Sequence, residues 1–368
     1  MSSYKFNNIN QPVILVAPLD WGLGHATRCI PIIKYLIELN CKVIIGANGK
    51  SYELLKLEFP DLTYLTLPDY GISYSVNPKF LKLKMLTQIP RIFKTIANEN
   101  LWLKKAITEH GIDLVISDNR YGLHNKGVYS IFITHQLSIK AGNIMLESLL
   151  RRINYRFINR FNQCWIPDNK EKSLAGTLSH PNKLPRNAAY IGPLSRLEKQ
   201  HSELKYDYLI LLSGPEPQRT VLENLMVAQT FLLKGRVLFV RGTPSEATLK
   251  VNENCEVLNL ITTEEISGYL NRSSIILCRS GYTTIMDLIK LNKTAILIPT
   301  PGQTEQEYLA TYLNGKYNFL KVTQSRLIDL HDMILLAQKQ GVKENGFQEY
   351  YKPAIQKVLG YFSSNISK

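Results

Sequence analysis

A chain of 368 residues with 45% hydrophobic and 20% charged side chains exceeds what one core usually supports, so two domains of similar size are expected. Five cysteines, Cys29, Cys41, Cys164, Cys255 and Cys278, form no Cys-x-x-Cys pair, which argues against a disulfide framework or structural zinc and for a reducing, cytoplasmic compartment. The net charge of +14 is an N-terminal property, with 24 Lys and Arg against 13 Asp and Glu in residues 1–195 and 20 against 17 beyond.

That excess suits polyanions: nucleic acid, anionic lipid headgroups or phosphorylated substrates. Met1 to Gln11 is polar, and no apolar run reaches the roughly 20 residues that span a bilayer, so neither a signal peptide nor a transmembrane helix is expected. In chain order the pattern reads PVILVAPL, a helix over 26–39, KVIIGAN, a helix near 51–57 and LTYLTLP. Strands follow at IDLVISD (112–118), YSIFITH (129–135) and NAAYIGP (187–193), with helical segments between. After a charged, poorly patterned stretch, 195–205, the alternation restarts at YDYLILLSG. It continues through a helix over 219–233, RVLFVRG, CEVLNLI, a short helix, SIILCRSG, a helix over 283–291, TAILIPTP and further helix. Strands alternating with helices predict an α/β chain of two Rossmann-like parallel-sheet domains facing across a cleft. The expected segments are 1–194, 195–346 and a C-terminal helix in 347–368 that packs back on the first domain.

Two strand-to-helix turns carry the chemistry. In Asp20-Trp21-Gly22-Leu23-Gly24-His25, Gly22 and Gly24 are candidate donor-binding residues that let the backbone bend and approach the ligand, and the amides that follow favour negative charge. His25 at the lip of that turn is a candidate general base. In Cys278-Arg279-Ser280-Gly281-Tyr282-Thr283-Thr284, free amides, hydroxyls and Arg279 can cradle a diphosphate, and Asp287 can accept both hydroxyls of a ribose. Both turns lie at the carboxyl ends of strands, where open α/β sheets bind ligands.

These residues resemble the GT-B glycosyltransferases of the family 28 type, the group of undecaprenyl-diphospho-muramoyl-pentapeptide N-acetylglucosaminyltransferase and the galactolipid synthases. The likeness rests on the Gly-x-Gly-His turn, on Thr134-His135-Gln136, on Tyr190-Ile191-Gly192-Pro193 and above all on CRSGYTTIMDLIKLNKTAILIP. It implies an acceptor-side first domain, with His135 and Gln136 toward the acceptor, and a donor domain that holds a UDP-sugar. There Asp287 would meet the ribose, Ser280 and Gly281 the diphosphate, and the backbone near Leu260 and Ile261 the uracil. Gln303, Glu305, Gln306 and Glu307 match the segment on donor sugar hydroxyls, with Gln306 the first choice. The family's Gly-Ser-x-Gly loop is replaced by Ser213-Gly214-Pro215-Glu216-Pro217, where Glu216 would repel phosphate and Arg219 could compensate. Asp also stands at 287 where Glu is usual.

The resemblance implies an inverting transferase in which His25 deprotonates the acceptor. Asp118 matches the partner carboxylate of plant-type UDP-glycosyltransferases, with Asp20 in reserve; Asp118 could equally cap a helix. No metal constellation and no cofactor beyond the UDP-sugar co-substrate are expected. The segment Lys79 to Lys105 carries seven basic residues and one acid among Phe, Leu, Ile, Met and Trp, which suits an anionic membrane surface or a core-facing helix with a basic edge. Arg151, Arg152, Arg156 and Arg160 add charge nearby, and without a recognised motif no nucleic-acid partner is expected. The expectation is a cytoplasmic enzyme, peripheral at the inner face of the membrane, that transfers a sugar, N-acetylglucosamine being the one the resemblance suggests, to a lipid-linked or cell-envelope glycan. Gly22-Leu23-Gly24-His25 with Arg28-Cys29 also resembles the nucleotide-sugar hydrolase of the pseudaminic acid pathway, in which His25 would activate water. A non-catalytic nucleotide-sugar-binding protein is the third reading.

Overall fold

The computed structural model describes residues 11–72, 87–140, 142–243, 248–259, 261–339 and 347–364. They divide into two compact units: 11–72, 87–195 and 348–364 form the first, and 196–347 the second.

In the first unit the elements are β1 (Val13–Pro18), α1 (Leu23–Glu38), β2 (Lys42–Ala47), α2 (Gly49–Glu58), β3 (Thr63–Thr66), α3 (Ile89–His110), β4 (Leu114–Asp118), β5 (Tyr129–Ile133), α4 (Ile144–Ile158), β6 (Gln163–Ile166) and β7 (Ala188–Tyr190). The strands order as β3-β2-β1-β4-β5-β6-β7, and every pair is parallel. β1 and β4 are buried almost throughout, as continuous apolar runs between helical layers must be. The strand order reverses between β1 and β4, where Pro18 pairs with Asp118 in register. The carboxyl ends of these two strands therefore open the crevice in which such sheets bind ligands.

α1 starts three residues before the expected 26. Gly22 takes the positive φ of 93° as N-cap, whereas Gly24 is helical, so a single glycine makes the turn. α1 buries Ala26, Cys29, Ile30, Ile33 and Leu36, one apolar stripe at helical spacing. α3 begins with Pro90 in its first turn and ends on Gly111 in the left-handed region. The last helix of the chain, Tyr351–Ser364, lies on α1: Gln356 Nε2 donates to Tyr35 Oη at 2.6 Å, and the Tyr35 and Tyr351 rings meet edge-on at 6.2 Å.

The second unit repeats the logic with β8 (Tyr206–Leu211), α5 (Gln218–Thr230), β9 (Val237–Val240), β10 (Cys255–Leu258), α6 (Thr263–Asn271), β11 (Ser273–Cys278), α7 (Tyr282–Lys290), β12 (Thr294–Leu297), α8 (Thr304–Leu313), β13 (Phe319–Lys321) and α9 (Leu330–Lys339). Strand order is β10-β9-β8-β11-β12-β13, again all parallel, and it reverses between β8 and β11 with Leu211 opposite Cys278. Alternate residues Ile210, Phe239, Ile275, Leu277 and Ile296 form one face of its core with Leu222 and Met226 of α5. The sequence pattern missed β6 and β13. Their apolar runs, Cys164-Trp165-Ile166 and Phe319-Leu320, fall short of the roughly four residues at which a run reads as a strand.

Of the Lys79 to Lys105 segment, 79–86 lie outside the described residues. The remainder enters α3, which buries Ile96, Leu103 and Ala106, so its apolar side largely serves the core.

Candidate active site

The turn after β1 carries His25 on the first turn of α1, and β4 ends on Asp118. Because β1 and β4 are neighbours, the two side chains meet although 93 residues separate them: His25 Nδ1 lies 2.9 Å from Asp118 Oδ1. Asp118 is fully buried and the His25 side chain is 17% exposed. A turn, not a helix, follows Asp118, so it caps nothing. Asp20 is engaged elsewhere, its Oδ1 accepting from the amide and hydroxyl of Ser51 in the first turn of α2. A Cβ built on Gly22 would meet nothing within 4 Å, so the lip of the turn is open to a ligand.

Sequence reasoning gave Arg28 no role at this site. One turn beyond His25 on the same face of α1, it donates from Nε to Asp118 Oδ2 and from Nη2 to Asp118 Oδ1. Nη2 also lies 2.7 Å from His25 Nδ1, and Nη1 lies 3.5 Å from Nδ1 of buried His135. Burial alone would raise the Asp118 carboxyl, but the Arg28 guanidinium and His25 outweigh it and hold Asp118 down to about 2. His25 is lowered from its ordinary value, first by burial and then by the Arg28 charge, against the opposing pull of Asp118. A histidine so placed is neutral near pH 7, as a proton acceptor must be. Gln136 follows, half-buried, its carbonyl accepting from Asn154 Nδ2 at 2.9 Å.

Glu99 and Arg120 are a second pair that sequence reasoning passed over. Glu99 accepts from Arg120 Nε at 2.7 Å, Tyr70 Oη at 2.8 Å and the Gly122 amide at 3.0 Å. Arg120 also donates to the carbonyls of Pro18 at 3.3 Å and Pro68 at 2.5 Å. The pair ties together the chain beyond the carboxyl ends of β1, β3 and β4, the same end of the sheet that carries His25. Only glycine fits at 122, since a Cβ would sit 2.2 Å from the Ile96 carbonyl.

In the second unit the β11–α7 turn matches the expected position, but its side chains are used differently. Arg279 is 1% exposed: Nη1 donates to the carbonyls of Ile298 and Pro299 and Nη2 to that of Gln218. Burial pushes it down to about 10, and it holds loops rather than offering its Nη donors to a diphosphate. Ser280 Oγ donates to the Gln306 carbonyl at 2.8 Å, and Gln306 Oε1 accepts from the Thr300 amide at 2.9 Å. The carboxamide oxygen expected on a sugar hydroxyl is thus part of the fold. What remains open at the turn is backbone: Gly281 is the N-cap of α7 with no side-chain cap, and a Cβ there would have only Thr284 Oγ1 near, at 3.9 Å. Thr283 and Asp287 are half-buried along α7. Gln303 is the N-cap of α8, half-buried Glu305 is in its first turn, and exposed Glu307 accepts from the Gly302 amide at 2.9 Å. Ile261 precedes Thr262, the N-cap of α6, whose capping box with Glu265 is complete; Leu260 lies outside the described residues.

Arg219, expected to compensate for the altered 213–217 loop, is engaged by that loop and its own helix. It donates to Glu216, to Glu223 at 2.8 Å and to Thr220 Oγ1 at 2.6 Å. Arg241 grips Glu223 as well, at 2.8 and 3.1 Å, so two arginines and two glutamates balance. The same pairing cancels the repulsion expected from Glu216. Among the described residues no group of three or more His, Cys, Asp or Glu is placed to hold a metal ion, and no helix is long and apolar enough to cross a membrane.

The glycosyltransferase family 28 C-terminal domain matches residues 221–346. An uncharacterized glycosyltransferase of Methanosarcina acetivorans is 24% identical over 307 residues, covering 78% of this chain and 79% of the relative. The UDP-N-acetylglucosamine–N-acetylmuramyl-(pentapeptide) pyrophosphoryl-undecaprenol N-acetylglucosamine transferase of Buchnera aphidicola subsp. Acyrthosiphon pisum is 23% identical and 77% of each chain is covered. Among solved structures, the glycotransferase of kitacinnamycin aligns with a TM-score of 0.66 at 13% identity, covering 96% of this chain and 95% of that one. With two parallel Rossmann-like sheets, a glycosyltransferase family 28 C-terminal domain over residues 221–346 and glycosyltransferase relatives along most of its length, the chain is a glycosyltransferase on the GT-B fold.

Proposed function

We propose that the protein transfers a sugar from a UDP-sugar, with inversion at the anomeric carbon, to a lipid-linked or cell-envelope glycan acceptor. The observation that carries this reading is the His25–Asp118 pair at the β1/β4 reversal, buried on the aspartate side and reachable on the histidine side. With its resting proton on Nδ1 toward Asp118, His25 takes the acceptor hydroxyl proton on Nε2 while that oxygen bonds to the anomeric carbon. The bond from that carbon to the diphosphate breaks, and UDP leaves with the electron pair. The positive end of α7, whose N-cap is Gly281, suits the charge that develops on the diphosphate. The reaction so written needs no cofactor. Uridine and N-acetylglucosamine are supported by the name of the Buchnera aphidicola relative, a UDP-N-acetylglucosamine-dependent transferase.

Mass-spectrometric detection of nucleotide released from a pool of UDP-, GDP- and dTDP-sugars, with and without a membrane lipid extract, tests the reading. UDP is expected, and only with lipid. Equal release without lipid would make water the acceptor, and GDP or dTDP would overturn the donor. Asp287→Ala is expected to weaken UDP binding by about 1.5–3 kcal/mol through loss of a charged hydrogen bond. Titration calorimetry checks it, and unchanged affinity removes the ribose contact.

An anionic membrane surface is the partner we propose for α4. Ile144 and Met145 are 87% and 86% exposed, and Leu149 and Ile153 continue the row at i+4 spacing. Arg152 and Arg156 lie three residues beyond Leu149 and Ile153, in the adjoining row, with Arg151 and Arg160 on the same helix and the turn after it. Phe157 of α4 meets Phe93 of α3 at 5.9 Å, which joins this face to the exposed Phe93 edge of α3. Apolar side chains beside arginines fit the boundary of headgroups and acyl chains. Binding to vesicles of equal phosphatidylglycerol and phosphatidylcholine is expected, with none to phosphatidylcholine alone. Arg152→Ala with Arg156→Ala should lower partitioning by about 30-fold, at about 1 kcal/mol per basic residue. Equal binding to both vesicle types would defeat the assignment.

A further inference from the structure

Neutral imidazole carries one N–H, so a histidine that receives a proton on Nε2 must already hold its own on Nδ1. Nδ1 of His25 faces two groups with opposite demands. Asp118 Oδ1 at 2.9 Å only accepts, while Arg28 Nη2 at 2.7 Å only donates. Arg28 is 2% exposed and grips both oxygens of Asp118 through Nε and Nη2. The titratable and charged groups facing this cluster come from three elements: Arg28 and Cys29 on α1, Asp118 on β4, and His135 after β5, with Cys29 Sγ 3.8 Å from Asp118 Oδ2.

A carboxylate that served His25 alone would raise its proton affinity and fix the Nδ1–H tautomer. Here the guanidinium already neutralises that carboxylate, and it offers Nδ1 a competing donor that favours the proton on Nε2. We propose that Arg28 is a positioning residue that weakens His25 as a proton acceptor and divides it between two tautomers, through its grip on Asp118 and its contact with Nδ1. Only the tautomer with Nδ1–H toward Asp118 is competent as a base. Once Nε2 is protonated, the neighbouring guanidinium speeds loss of that proton and resets the site. Burial and the Arg28 charge lower His25, as this arrangement requires.

The inference rests on the reading of His25 as the base, and its test is read without turnover. Histidine-labelled full-length protein, with the His25 signal assigned by its absence in His25→Gln, is titrated by nuclear magnetic resonance. His25 is expected to titrate below the ordinary imidazole range and to show both tautomers. Arg28→Met should raise its midpoint by at least one pH unit and leave Nδ1–H dominant. Arg28→Lys keeps the charge and loses the fork, so it should hold the midpoint low while changing the tautomer ratio; it carries the test if Arg28→Met does not fold. The acidic limb of kcat/KM should move up with the midpoint in Arg28→Met, a shift that a merely structural side chain would not cause. A His25 midpoint and tautomer unmoved in both variants overturn the inference and leave the base reading intact. Full turnover in His25→Gln would overturn the base reading alone, because the titration would still report the coupling to Arg28.

Discussion

Replacing His25 by Ala is expected to lower turnover by about 10²–10⁴-fold, the usual contribution of a positioned general base. The loss should appear in kcat with donor affinity unchanged, since Asp287 and the start of α7, proposed to hold the nucleotide, belong to the other unit. Folding should survive, because Arg28 and Asp118 still neutralise each other when the imidazole is gone. Steady-state nucleotide release beside calorimetric UDP binding makes the comparison. Turnover within a few-fold of the unaltered chain removes His25 from the mechanism. Acid dependence of stability follows from the same cluster. Asp118 is held at about 2, against 3.8 for a free carboxyl, so the stability it contributes is fully present above the unfolded value and is lost as pH falls through about 2.

Glu99→Ala is expected to be the most destabilising single change in the first unit, at about 3–5 kcal/mol, the cost of leaving a buried charge without its partner. Glu99 is fully buried, and its removal strands the Arg120 guanidinium, the Tyr70 hydroxyl and the Gly122 amide together. Adding Arg120→Met to Glu99→Leu removes the stranded charge but leaves the carbonyls of Pro18 and Pro68 without Arg120, so it should restore only part of the loss. Thermal unfolding followed by far-ultraviolet circular dichroism reads both. A Glu99→Ala midpoint within a degree or two of the unaltered chain would show that the network is not structural. Because this network ties loops at the end of the sheet that carries His25, turnover of the folded Glu99→Ala protein should fall as well.

Much of this architecture was legible in the amino-acid order. Apolar runs that alternate with helical stripes leave few options besides parallel sheets, and both strand-to-helix turns fall at the expected residues because the apolar runs end there, with Gly22 taking the positive φ that its turn requires. Arg28 is visible in the sequence one turn after His25, yet helical spacing says only that the two share a face, not that they share a carboxylate 90 residues away. Arg279 and Gln306 show the opposite limit. Their chemistry suits a phosphate or a sugar, but close packing brings backbone carbonyls and an amide within reach, and a buried backbone group without a partner costs more than an exposed one.

The sequence by itself determined the periodicities, the position of the turns and the family 28 pattern, since each is a local property of neighbouring residues. Strand order was decided only in three dimensions, and strand order is what sets Asp118 beside His25 and lets a buried arginine choose between them.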